Sequence, residues 1–406
     1  MAGLQGKRIL FGVTGSIAAY KAAHWVRELV KEEAVVTVVM TAAAEQFVTP
    51  LTFAALSGNR VHREMFDPSP EGVMAHIQLS READIVLIAP ATAQTLARLA
   101  LGMADTLLSA VTLAAKIPVV VCPAMNTAMW QHPATRAHVE TLEQFGYRVV
   151  RPGAGQLACG ESGDGRLVDW EPVREELLAL VQPADLVGKR VLITAGPTRE
   201  PLDPVRFLSN RSSGKMGFAL ARTARRRGAA EVVLVTGPVA LPSPPGVETI
   251  RVTTAEEMGQ VVLARAEKAD VVIKAAAVAD FRPALCEPLK IKKRQQGLAV
   301  EFVKNRDILA ELGKCRRADQ VLVGFAAESH DHLGEGRRKL VEKHLDLIVV
   351  NDILGAQTGF DVSTNQVTLV ERDAEQSLPL LSKEETADRI WDRIVTLFAG
   401  KSGEQG

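Results

Sequence analysis

The densest group of residues that could do chemistry lies between positions 194 and 217. It reads TAGPTRE over residues 194–200, DPVRF over 203–207 and SNRSSGKMG over 209–217. Polar residues flanked by glycine, between a strand and a helix, are typical of phosphate-binding loops. The spacing departs from the Walker A pattern G-x-x-x-x-G-K-[ST], because Met216 follows the glycine and lysine. The sequence therefore predicts a phosphate site but argues against a P-loop ATPase.

Two clusters downstream extend this site. Residues 275–281 (AAAVADF) close a predicted strand, and residues 290–293 (KIKK) form a short basic run in a loop. A charge run is usually a solvated face, but this one is isolated in a neutral protein and follows a binding-type loop. Contact with a triphosphate or a leaving pyrophosphate is therefore favoured. Lys339 and Lys343 lie four apart on one helix face, where they either join this site or face solvent.

A second candidate phosphate site lies near the start of the chain. Gly15 and Ser16 end a predicted strand and open a helix, where backbone N–H groups and the helix dipole favour an anion. The same residues also fit a plain strand–helix turn with a serine cap. The full dinucleotide pattern G-x-G-x-x-G is absent from residues 12–17, which favours a mononucleotide over NAD.

Four further polar segments occur in the first half. They are residues 39–43 (VMTAA), 89–95 (APATAQT), 123–126 (PAMN) and 158–166 (ACGESGDGR). Three of them follow predicted strands, where ligands gather in parallel sheets. Cys159 lies among glycines, so a role as a small core residue is a poor fit. His76 stands at the start of a predicted helix, where it is either a functional base or an ordinary surface residue.

Alternating apolar strands and helices position these segments. The first half predicts strands over 9–13, 34–40, 85–89 and 119–122, with helices from about 17, over 92–101 and 105–115, and from Pro133. The first helix is expected to bury Ala22, Val26, Leu29 and Val30. This alternation predicts an α/β fold with a doubly wound parallel sheet.

A glycine-rich stretch and a linker separate the halves. Residues 151–167 predict a mobile loop, residues 171–181 predict a helix and residues 182–185 predict a linker. After the linker, the segment GKRVLI at 188–193 is similar to GKRILF at 6–11. The second half predicts strands over 231–235, 271–275, 321–325 and 347–350, helices over 215–227, 255–266 and 334–344, a hairpin over 366–371 and 377–381, and a last helix ending near 399. A capping box at 382–385 opens that last helix. The sequence thus predicts two doubly wound, mostly parallel-sheet domains (Rossmann-like or flavodoxin-like), residues 1–185 and 186–406.

Composition limits the function classes. The 406 residues carry 48 basic and 48 acidic side chains, so bulk charge predicts neither a nucleic-acid nor a membrane partner. The four cysteines form no C-x-x-C pair, and free, scattered thiols suit a reducing cytoplasm. The N-terminus lacks the apolar region of a signal peptide, and charges interrupt the most apolar stretch, residues 85–122. We therefore expect a cytoplasmic enzyme acting on small molecules.

The first 180 residues resemble the flavin-dependent cysteine decarboxylases, specifically phosphopantothenoylcysteine decarboxylase. The specific signal is PAMN at 123–126, followed by Met129-Trp130 and Pro133-Ala134-Thr135. The resemblance implies an FMN cofactor that oxidises the cysteine thiol to a thioaldehyde, so that the carboxylate can leave, and then returns the hydride. It also implies Cys159 as proton donor, His76 as base or orienting group, and Asn126 as the residue that holds the substrate carboxylate. Flavin-binding residues carried over by position are Gly15, Ser16, Ile17, Thr41, Thr92, Ala93, Thr95 and Ala124. Gln94 stands where that family usually has Asn.

Residues 188–400 resemble phosphopantothenate–cysteine ligase, and the two halves in this order match the bacterial bifunctional enzymes of coenzyme A biosynthesis. The resemblance implies that CTP, with Mg²⁺ on its phosphates, activates the carboxylate of phosphopantothenate as an acyl-cytidylate, which cysteine then attacks. Asn210 is expected to hold the acyl-cytidylate and Lys290 to stabilise the nucleotide phosphates. The remaining nucleotide residues carried over are Lys274, Ala275, Ala276, Asp280, Arg306, Asp307, Ile308, Leu309, Phe325, Lys339 and Lys343. Arg306 replaces the usual Pro, and the residues mark no metal ligands.

Two other functions remain open from the residues. One is a single-activity flavin-dependent cysteine decarboxylase with a regulatory C-terminal domain, and the other is a non-catalytic flavoprotein that regulates a partner. The resemblance further implies a homo-oligomer in which trimers of the first half and dimers of the second combine into a higher assembly, such as a dodecamer.

Overall fold

The computed structural model describes residues 3–66, 74–158, 160–292, 299–328, 332–352, 362 and 364–403. The chain divides into two compact units, residues 3–182 and 183–406. Each unit has its own main sheet and its own apolar clusters. The predicted fold class, two α/β domains with mostly parallel sheets, is confirmed.

The first unit contains a six-stranded parallel sheet with helices on both faces. The six strands of this sheet are β1 (Arg8–Val13), β2 (Val35–Met40), β3 (Val61–His62), β4 (Ile85–Ala91), β5 (Val119–Pro123) and β6 (Arg148–Val149). The unit also contains β7 (Gly153–Gln156) and β8 (Ser162–Arg166), which pair with each other. Its helices are α1 (Ala19–Lys31), α2 (Pro50–Ser57), α3 (Ala75–Glu82), α4 (Ala93–Ala100), α5 (Leu107–Ala114), α6 (Thr127–Gln131), α7 (Pro133–Gln144) and α8 (Trp170–Val181). The strand order β3-β2-β1-β4-β5-β6 reverses between β1 and β4. Ligands of such sheets bind at this reversal, beyond the carboxyl ends of the strands.

Apolar side chains cover both faces of this sheet. All seven residues of β4 are buried, as a strand of a parallel sheet with helices on either side requires. In β1, Ile9 and Phe11 join one apolar cluster while Leu10 joins the other, because successive side chains of a strand point to opposite faces. The two clusters hold the carboxyl ends of β1 and β4 in fixed positions.

Helix α1 buries a slightly different face from the one predicted. Ala22, Val26 and Leu29 are buried as expected, but Val30 is 37% exposed and Trp25 is 2% exposed. The buried residues follow the spacing i, i+3, i+4, i+7, which leaves position 30 a further 100° around the helix. Trp25 packs against Trp170 with ring centroids 5.7 Å apart, and this contact turns α1 toward α8.

The glycine-rich stretch of the first unit is a β-hairpin, so the predicted loop over 151–167 is wrong in its described part. Strand β7 pairs antiparallel with β8. A hairpin ladder is made of backbone hydrogen bonds and does not need large side chains. Gly155 and Gly165 take φ values of 153° and 135°, in the region that favours glycine. We call residues 153–166 the flap, apart from residue 159, which lies outside the described residues.

The second unit is built on an eight-stranded sheet. Its strands are β9 (Arg190–Ala195), β10 (Arg199–Pro201), β11 (Phe207–Ser209), β12 (Glu231–Thr236), β13 (Glu248–Arg251), β14 (Val271–Lys274), β15 (Phe281–Pro283), β16 (Phe302–Lys304), β17 (Val321–Glu328), β18 (Leu347–Asp352), β19 (Thr364–Asn365), β20 (Val367–Val370), β21 (Glu375–Ser377) and β22 (Leu381–Ser382). Its helices are α9 (Lys215–Arg226), α10 (Ala255–Ala266), α11 (Ile308–Cys315), α12 (His332–Glu342) and α13 (Lys383–Gly403). The order β13-β12-β9-β14-β17-β18-β20-β21 is parallel through β18, and the last two strands are antiparallel. The reversal of strand order lies between β9 and β14.

The C-terminal elements differ partly from the prediction. The partner of β20 is Glu375–Ser377 and not residues 377–381, since Thr368 pairs with Ser377 while Leu378 is buried in the core. The capping box is confirmed, because the Glu385 backbone N–H donates to Ser382 Oγ at 3.2 Å and the Ser382 N–H donates to Glu385 Oε2 at 3.0 Å. Helix α13 runs on to Gly403, beyond the predicted end.

Candidate active sites

The loops after β1 and β4 are joined by one buried hydroxyl. Thr14 Oγ1 donates to the Pro90 carbonyl at 2.6 Å and accepts from the Thr92 N–H at 3.1 Å. The neighbouring Gly15 is also needed, because a Cβ there would lie 2.4 Å from the Ala43 Cβ. The turn that precedes α1 is therefore fixed on two sides, by the loop after β4 and the loop after β2.

A cavity of about 650 Å³ opens at this turn. It is lined by Ser16, Ile17, Ala18, Tyr20, Lys21, Ala124, Met125, Asn126, Gln156, Leu157, Ala158, Gly165, Arg166 and Leu167. Four residues predicted from the sequence, Ser16, Ile17, Ala124 and Asn126, thus meet around one space. Ser16 Oγ accepts from the Ala18 N–H at 3.3 Å, so the hydroxyl caps the turn as well as facing the cavity.

Two cationic side chains of this cavity escaped the sequence reasoning. Lys21 lies on α1 and Arg166 ends β8, and both line the cavity. Burial, and secondly the Arg166 guanidinium, lower the pKa of Lys21, while the Asp169 carboxylate opposes this. Lys21 is one helical turn after Ile17, and this spacing was the sequence signal that could have placed Lys21 at the site. Cations beside a helix N-terminus suit a phosphate group.

The flap rests on the segment that carries Asn126. The Met125 N–H donates to the Gly165 carbonyl at 2.9 Å, and a Cβ on Gly165 would lie 2.3 Å from the Met125 carbonyl oxygen. Asn126 Nδ2 donates to Glu161 Oε2 at 2.8 Å, and Asn126 Oδ1 accepts from the Ala128 N–H at 2.8 Å. The Asn126 side chain is therefore oriented from both ends, by the flap and by the start of α6.

The other predicted residues of the first unit lie elsewhere on the same sheet edge or are not described. Thr41 lines a separate cavity of about 340 Å³ with Arg63 and Asp105. Thr92 caps α4 by accepting from the Thr95 N–H at 3.2 Å, and Ala93 is the first residue of that helix. Thr92, Ala93 and Thr95 are not among the described residues that line either cavity.

Of the two residues predicted to move protons in the first unit, only His76 lies among the described residues. His76 is the second residue of α3 and, among the described lining residues, it borders neither cavity. Cys159 lies outside the described residues, between Ala158, which lines the larger cavity, and Gly160. Both roles stay predictions.

A larger cavity, about 830 Å³, lies at the carboxyl edge of the second sheet, beside the reversal between β9 and β14. Nearly all residues predicted for the nucleotide line it. These are Asn210, Lys274, Ala275, Ala276, Asp280, Arg306, Asp307, Ile308, Leu309, Phe325, Lys339 and Lys343.

Threonine hydroxyls tie the loop after β14 to the loop after β9. Thr194 Oγ1 accepts from the Ala276 N–H at 3.1 Å, and Thr198 Oγ1 accepts from the Ala279 N–H at 3.0 Å. Across this joint, Asn210 Nδ2 donates to the Val278 carbonyl at 3.0 Å. The Asn210 amide is therefore held against the loop after β14.

A group of opposite charges forms one wall of this cavity. Lys343 Nζ lies 2.8 Å from Asp307 Oδ2. Burial opposes ionisation of Asp307, but the hydrogen bond with Lys343 and that from the Ala310 N–H prevail and lower its pKa. Burial lowers the pKa of Lys274 to about 8, with Asp307 and Asp280 opposing the shift and Lys343 adding to it. Lys274 is therefore charged in only part of the protein above neutral pH.

Lys290 is the exception among the predicted nucleotide residues. It is exposed and does not line the cavity formed by the described residues. The backbone that follows it is held on the β10–β11 hairpin, because the Ile291 N–H donates to Asp203 Oδ2 at 3.2 Å and Arg206 Nη2 donates to the Ile291 carbonyl at 3.0 Å. The phosphate contact of Lys290 stays a prediction.

Three polar residues that the C-terminal elements bring to this cavity were missed by sequence reasoning. Asn351, Asn365 and Lys383 all line it. Asn351 Oδ1 is buried without a hydrogen-bond partner in the described part of the chain, so it can accept from a ligand amino group. They lie in β18, β19 and α13. The sequence around each of them carries no motif that indicates a binding site.

The described residues contain no group of three or more His, Cys, Asp or Glu side chains that could hold a metal ion. Among the same residues, no helix is both long and apolar enough to cross a membrane.

Family models match both units. A model described as flavoprotein matches residues 2–182, and one described as DNA/pantothenate metabolism flavoprotein C-terminal domain matches residues 186–398. The coenzyme A biosynthesis bifunctional protein CoaBC of Vibrio cholerae is 48% identical over 396 residues, which is 97% of this chain and 99% of that protein. The protein of the same name from Escherichia coli K12 is 45% identical over 403 residues, 98% of this chain and 99% of that protein.

Solved structures resemble each unit separately. The C-terminal domain of a coenzyme A biosynthesis bifunctional protein CoaBC is 42% identical, covers 53% of this chain and 99% of that chain, and has a TM-score of 0.46. The FMN-dependent cysteine decarboxylase SpaF is 36% identical, covers 43% of this chain and 97% of that chain, and has a TM-score of 0.38.

Proposed function

Because the chain belongs to the family of bifunctional coenzyme A biosynthesis proteins, we propose that its two units catalyse consecutive reactions on one metabolite. The second unit joins 4′-phosphopantothenate to cysteine with CTP. The first unit then decarboxylates the phosphopantothenoylcysteine product to 4′-phosphopantetheine with FMN. The alternative of one activity with a regulatory C-terminal domain is not favoured, since relatives matched over nearly their whole length are named bifunctional.

The observation that carries the ligase assignment is the position of the Asn210 amide. It is fixed on the Val278 carbonyl at the mouth of a cavity that also presents the Lys274, Lys339 and Lys343 side chains. In the activation step a carboxylate oxygen bonds to the α-phosphorus, the bond from that phosphorus to the bridging oxygen breaks, and pyrophosphate leaves with the electron pair. These three lysine side chains lower the energy of the negative charge that accumulates on the phosphates.

In the amide-forming step, the cysteine amine attacks the acyl carbon and CMP leaves. The amine must lose a proton for this attack. Asn210 holds the acyl-cytidylate by hydrogen bonding, so the acyl carbon stays in one position while the nucleophile changes. Mg²⁺ enters as part of the nucleotide substrate, bound to its phosphates.

The first unit fits FMN by the chemistry of its cavity. Ser16 and the turn before α1, with Lys21 and Arg166, suit the phosphate, while Ile17, Ala124 and Met125 offer apolar contacts for a ring. FMN, when bound, supplies reversible hydride transfer at the cysteine carbon. Asn126, oriented by Glu161, binds the departing carboxylate. Cys159 delivers a proton, and His76 acts as base or orienting group.

Location and assembly follow from the same proposal. The substrates are cytoplasmic metabolites, so we place the enzyme in the cytoplasm. The exposure of Lys290 in the described chain is compatible with its action across a homo-oligomer. Such an assembly combines trimers of the first unit with dimers of the second.

Product analysis tests the proposal. The purified full chain is incubated with 4′-phosphopantothenate and cysteine, with CTP or with ATP, and the products are identified by mass spectrometry. We expect CTP-dependent phosphopantothenoylcysteine followed by 4′-phosphopantetheine, from a protein that is yellow as purified. A colourless protein with no CTP-dependent product would overturn both assignments.

Two variants separate the units. Asn210→Ala should abolish amide formation and leave decarboxylation of added phosphopantothenoylcysteine unchanged. Cys159→Ser should stop at the oxidised enethiol while ligation continues. Ligation that survives in Asn210→Ala, or complete turnover in Cys159→Ser, would show that the role given to that residue is wrong.

A further inference from the structure

The C-terminal elements of the second unit bring two buried polar side chains to the ligase cavity. Asn365 in β19 is 1% exposed and Lys383, the first residue of α13, is 7% exposed. Both line the cavity of about 830 Å³. A lysine this buried is rare unless it serves a structural or a binding role, so its surroundings indicate what it binds.

Asn365 lies against the first turn of α9. Its Oδ1 accepts from the Gln366 N–H at 3.1 Å, which uses the amide oxygen. Its Nδ2 is 3.9 Å from the sulfur of Met216, the second residue of α9. A thioether is a weak acceptor, so the amide N–H groups keep most of their capacity to donate to a ligand in the cavity.

Lys383 is held at the same place by the docking of α13 on α9. Trp391 is fully buried, and its indole Nε1 donates to the Leu220 carbonyl of α9 at 3.0 Å. Glu384 pairs with Arg222 and Arg226 of α9, each at 3.4 Å. These contacts fix the start of α13, and the two arginines neutralise the carboxylate next to Lys383. An anion near Lys383 therefore meets little repulsion from Glu384.

The start of α9 itself favours an anion. Gly214 is its N-cap residue with φ of 76°, and no side chain caps the helix. Gly214, Lys215, Met216 and Gly217 all line the cavity. The first turn of α9, Asn365 and Lys383 thus line one cavity, and Asn365 lies beside Met216 of that turn, a combination of donors and positive charge that suits a phosphate.

We propose that Lys383 and Asn365 bind the β- and γ-phosphates of the nucleotide, the part that leaves as pyrophosphate. The inference rests on the proposed ligase function and adds to it two residues from the C-terminal elements. In the activation step, the α-phosphorus exchanges its bond to the bridging oxygen for a bond to the carboxylate. Lys383 stabilises the negative charge that remains on the pyrophosphate. Neither residue is needed when cysteine displaces CMP, because the pyrophosphate has left.

Calorimetric titration of the full chain with CTP and with CMP tests this. CMP lacks the two outer phosphates, so Lys383→Met should weaken CTP about 10- to 100-fold and leave CMP within about twofold. Asn365→Ala should do the same to a smaller extent, and Lys383→Arg should restore most of the affinity for CTP. Arg389→Met, on the exposed side of α13, is the matched control and should bind both nucleotides normally.

Steady-state and single-turnover kinetics separate the two half-reactions. Lys383→Met should raise the KM for CTP and the inhibition constant of pyrophosphate, without raising the KM for 4′-phosphopantothenate. Its reaction of added acyl-cytidylate with cysteine should match that of the unmodified chain. Equal loss of CTP and CMP, or a rise confined to the KM for 4′-phosphopantothenate, would overturn the proposal.

The outcomes also distinguish this inference from the proposed function. If the unmodified chain forms no amide with CTP, the ligase function fails, and the comparison of CTP with CMP still decides whether Lys383 binds outer phosphates. If the unmodified chain ligates normally and Lys383→Met binds CTP unchanged, only the inference fails. Decarboxylation by the first unit reports that each variant is folded and active there, and circular dichroism reports the fold of the second unit.

Discussion

Replacement of Gly165 by alanine should unseat the flap and disable the decarboxylase alone. Gly165 has a φ of 135°, where an L-residue is strained, and its Cβ would lie 2.3 Å from the Met125 carbonyl oxygen. The oxygen belongs to backbone and cannot swing away as a side-chain tip would. The Met125 N–H also donates to the Gly165 carbonyl at 2.9 Å, so any relief of the clash lengthens this bond.

The expected magnitude follows from these two contacts. The strained backbone costs about 1–3 kcal/mol, and the lost hydrogen bond about 1 kcal/mol. A total of about 2–4 kcal/mol lowers the population of the seated flap roughly 30- to 700-fold. Because Asn126 is oriented through Glu161 of the flap, decarboxylation should fall by a similar factor.

The assay follows release of carbon dioxide from added phosphopantothenoylcysteine, with amide formation as the internal standard. Gly153→Ala is the matched control, since a Cβ there meets no described atom within 4 Å and the residue has no positive φ. Gly153→Ala should keep near-normal activity. Decarboxylation by Gly165→Ala within threefold of the unmodified chain would refute the idea that flap seating on Met125 controls the site.

Four further outcomes are expected. The pKa of Lys274 is lowered to about 8, so the charged form of its side chain is lost as the pH rises through 8. The KM for CTP should therefore rise above pH 8 in a pH profile of ligation. Lys274→Arg should remove this rise. Because the pKa of Lys274 is lowered, the folded state binds fewer protons than the unfolded state between pH 8 and the ordinary pKa of 10.5. The free energy of unfolding should therefore rise with pH over that window, by up to about 1.4 kcal/mol per pH unit. In denaturant titrations, Lys274→Met should remove this rise. Thr14→Val should cost about 1–3 kcal/mol of stability and reduce bound flavin, because the Pro90 carbonyl and the Thr92 N–H lose their shared partner, whereas Thr14→Ser should preserve both in thermal melts and absorbance spectra. Asn126→Asp should weaken binding of phosphopantothenoylcysteine at least tenfold in kinetic assays, since one carboxylate would then face both Glu161 and the substrate carboxylate; unchanged KM would contradict this.

The flap shows where sequence reasoning failed on structure. Its glycines predicted an irregular loop, because few side chains were present to define a strand pattern. The ladder between β7 and β8 is backbone hydrogen bonding, and its glycines allow the close approach to Met125. A pattern method based on side chains has no signal for either fact.

The sequence by itself determined the α/β class, the carboxyl edges of the sheets where cavities lie, and most of the residues that line the cavity of the second unit among those predicted for the nucleotide. Unbroken apolar runs such as β4 identify buried parallel strands, and their polar ends must then meet at one edge of the sheet. The loop that carries Asn210 was found in this way, whereas Asp307 was carried over from the family resemblance, and both residues line one cavity.

Only the tertiary structure decided which distant side chains share a site. Lys383 and Asn365 carry no motif, and they reach the ligase cavity because Trp391 and Glu384 dock α13 on α9. Lys290 does carry a motif, yet it is not among the described residues that line that cavity. Sequence spacing records local geometry along strands and helices, whereas long-range docking depends on which buried surfaces fit together, and that is settled only when the chain packs.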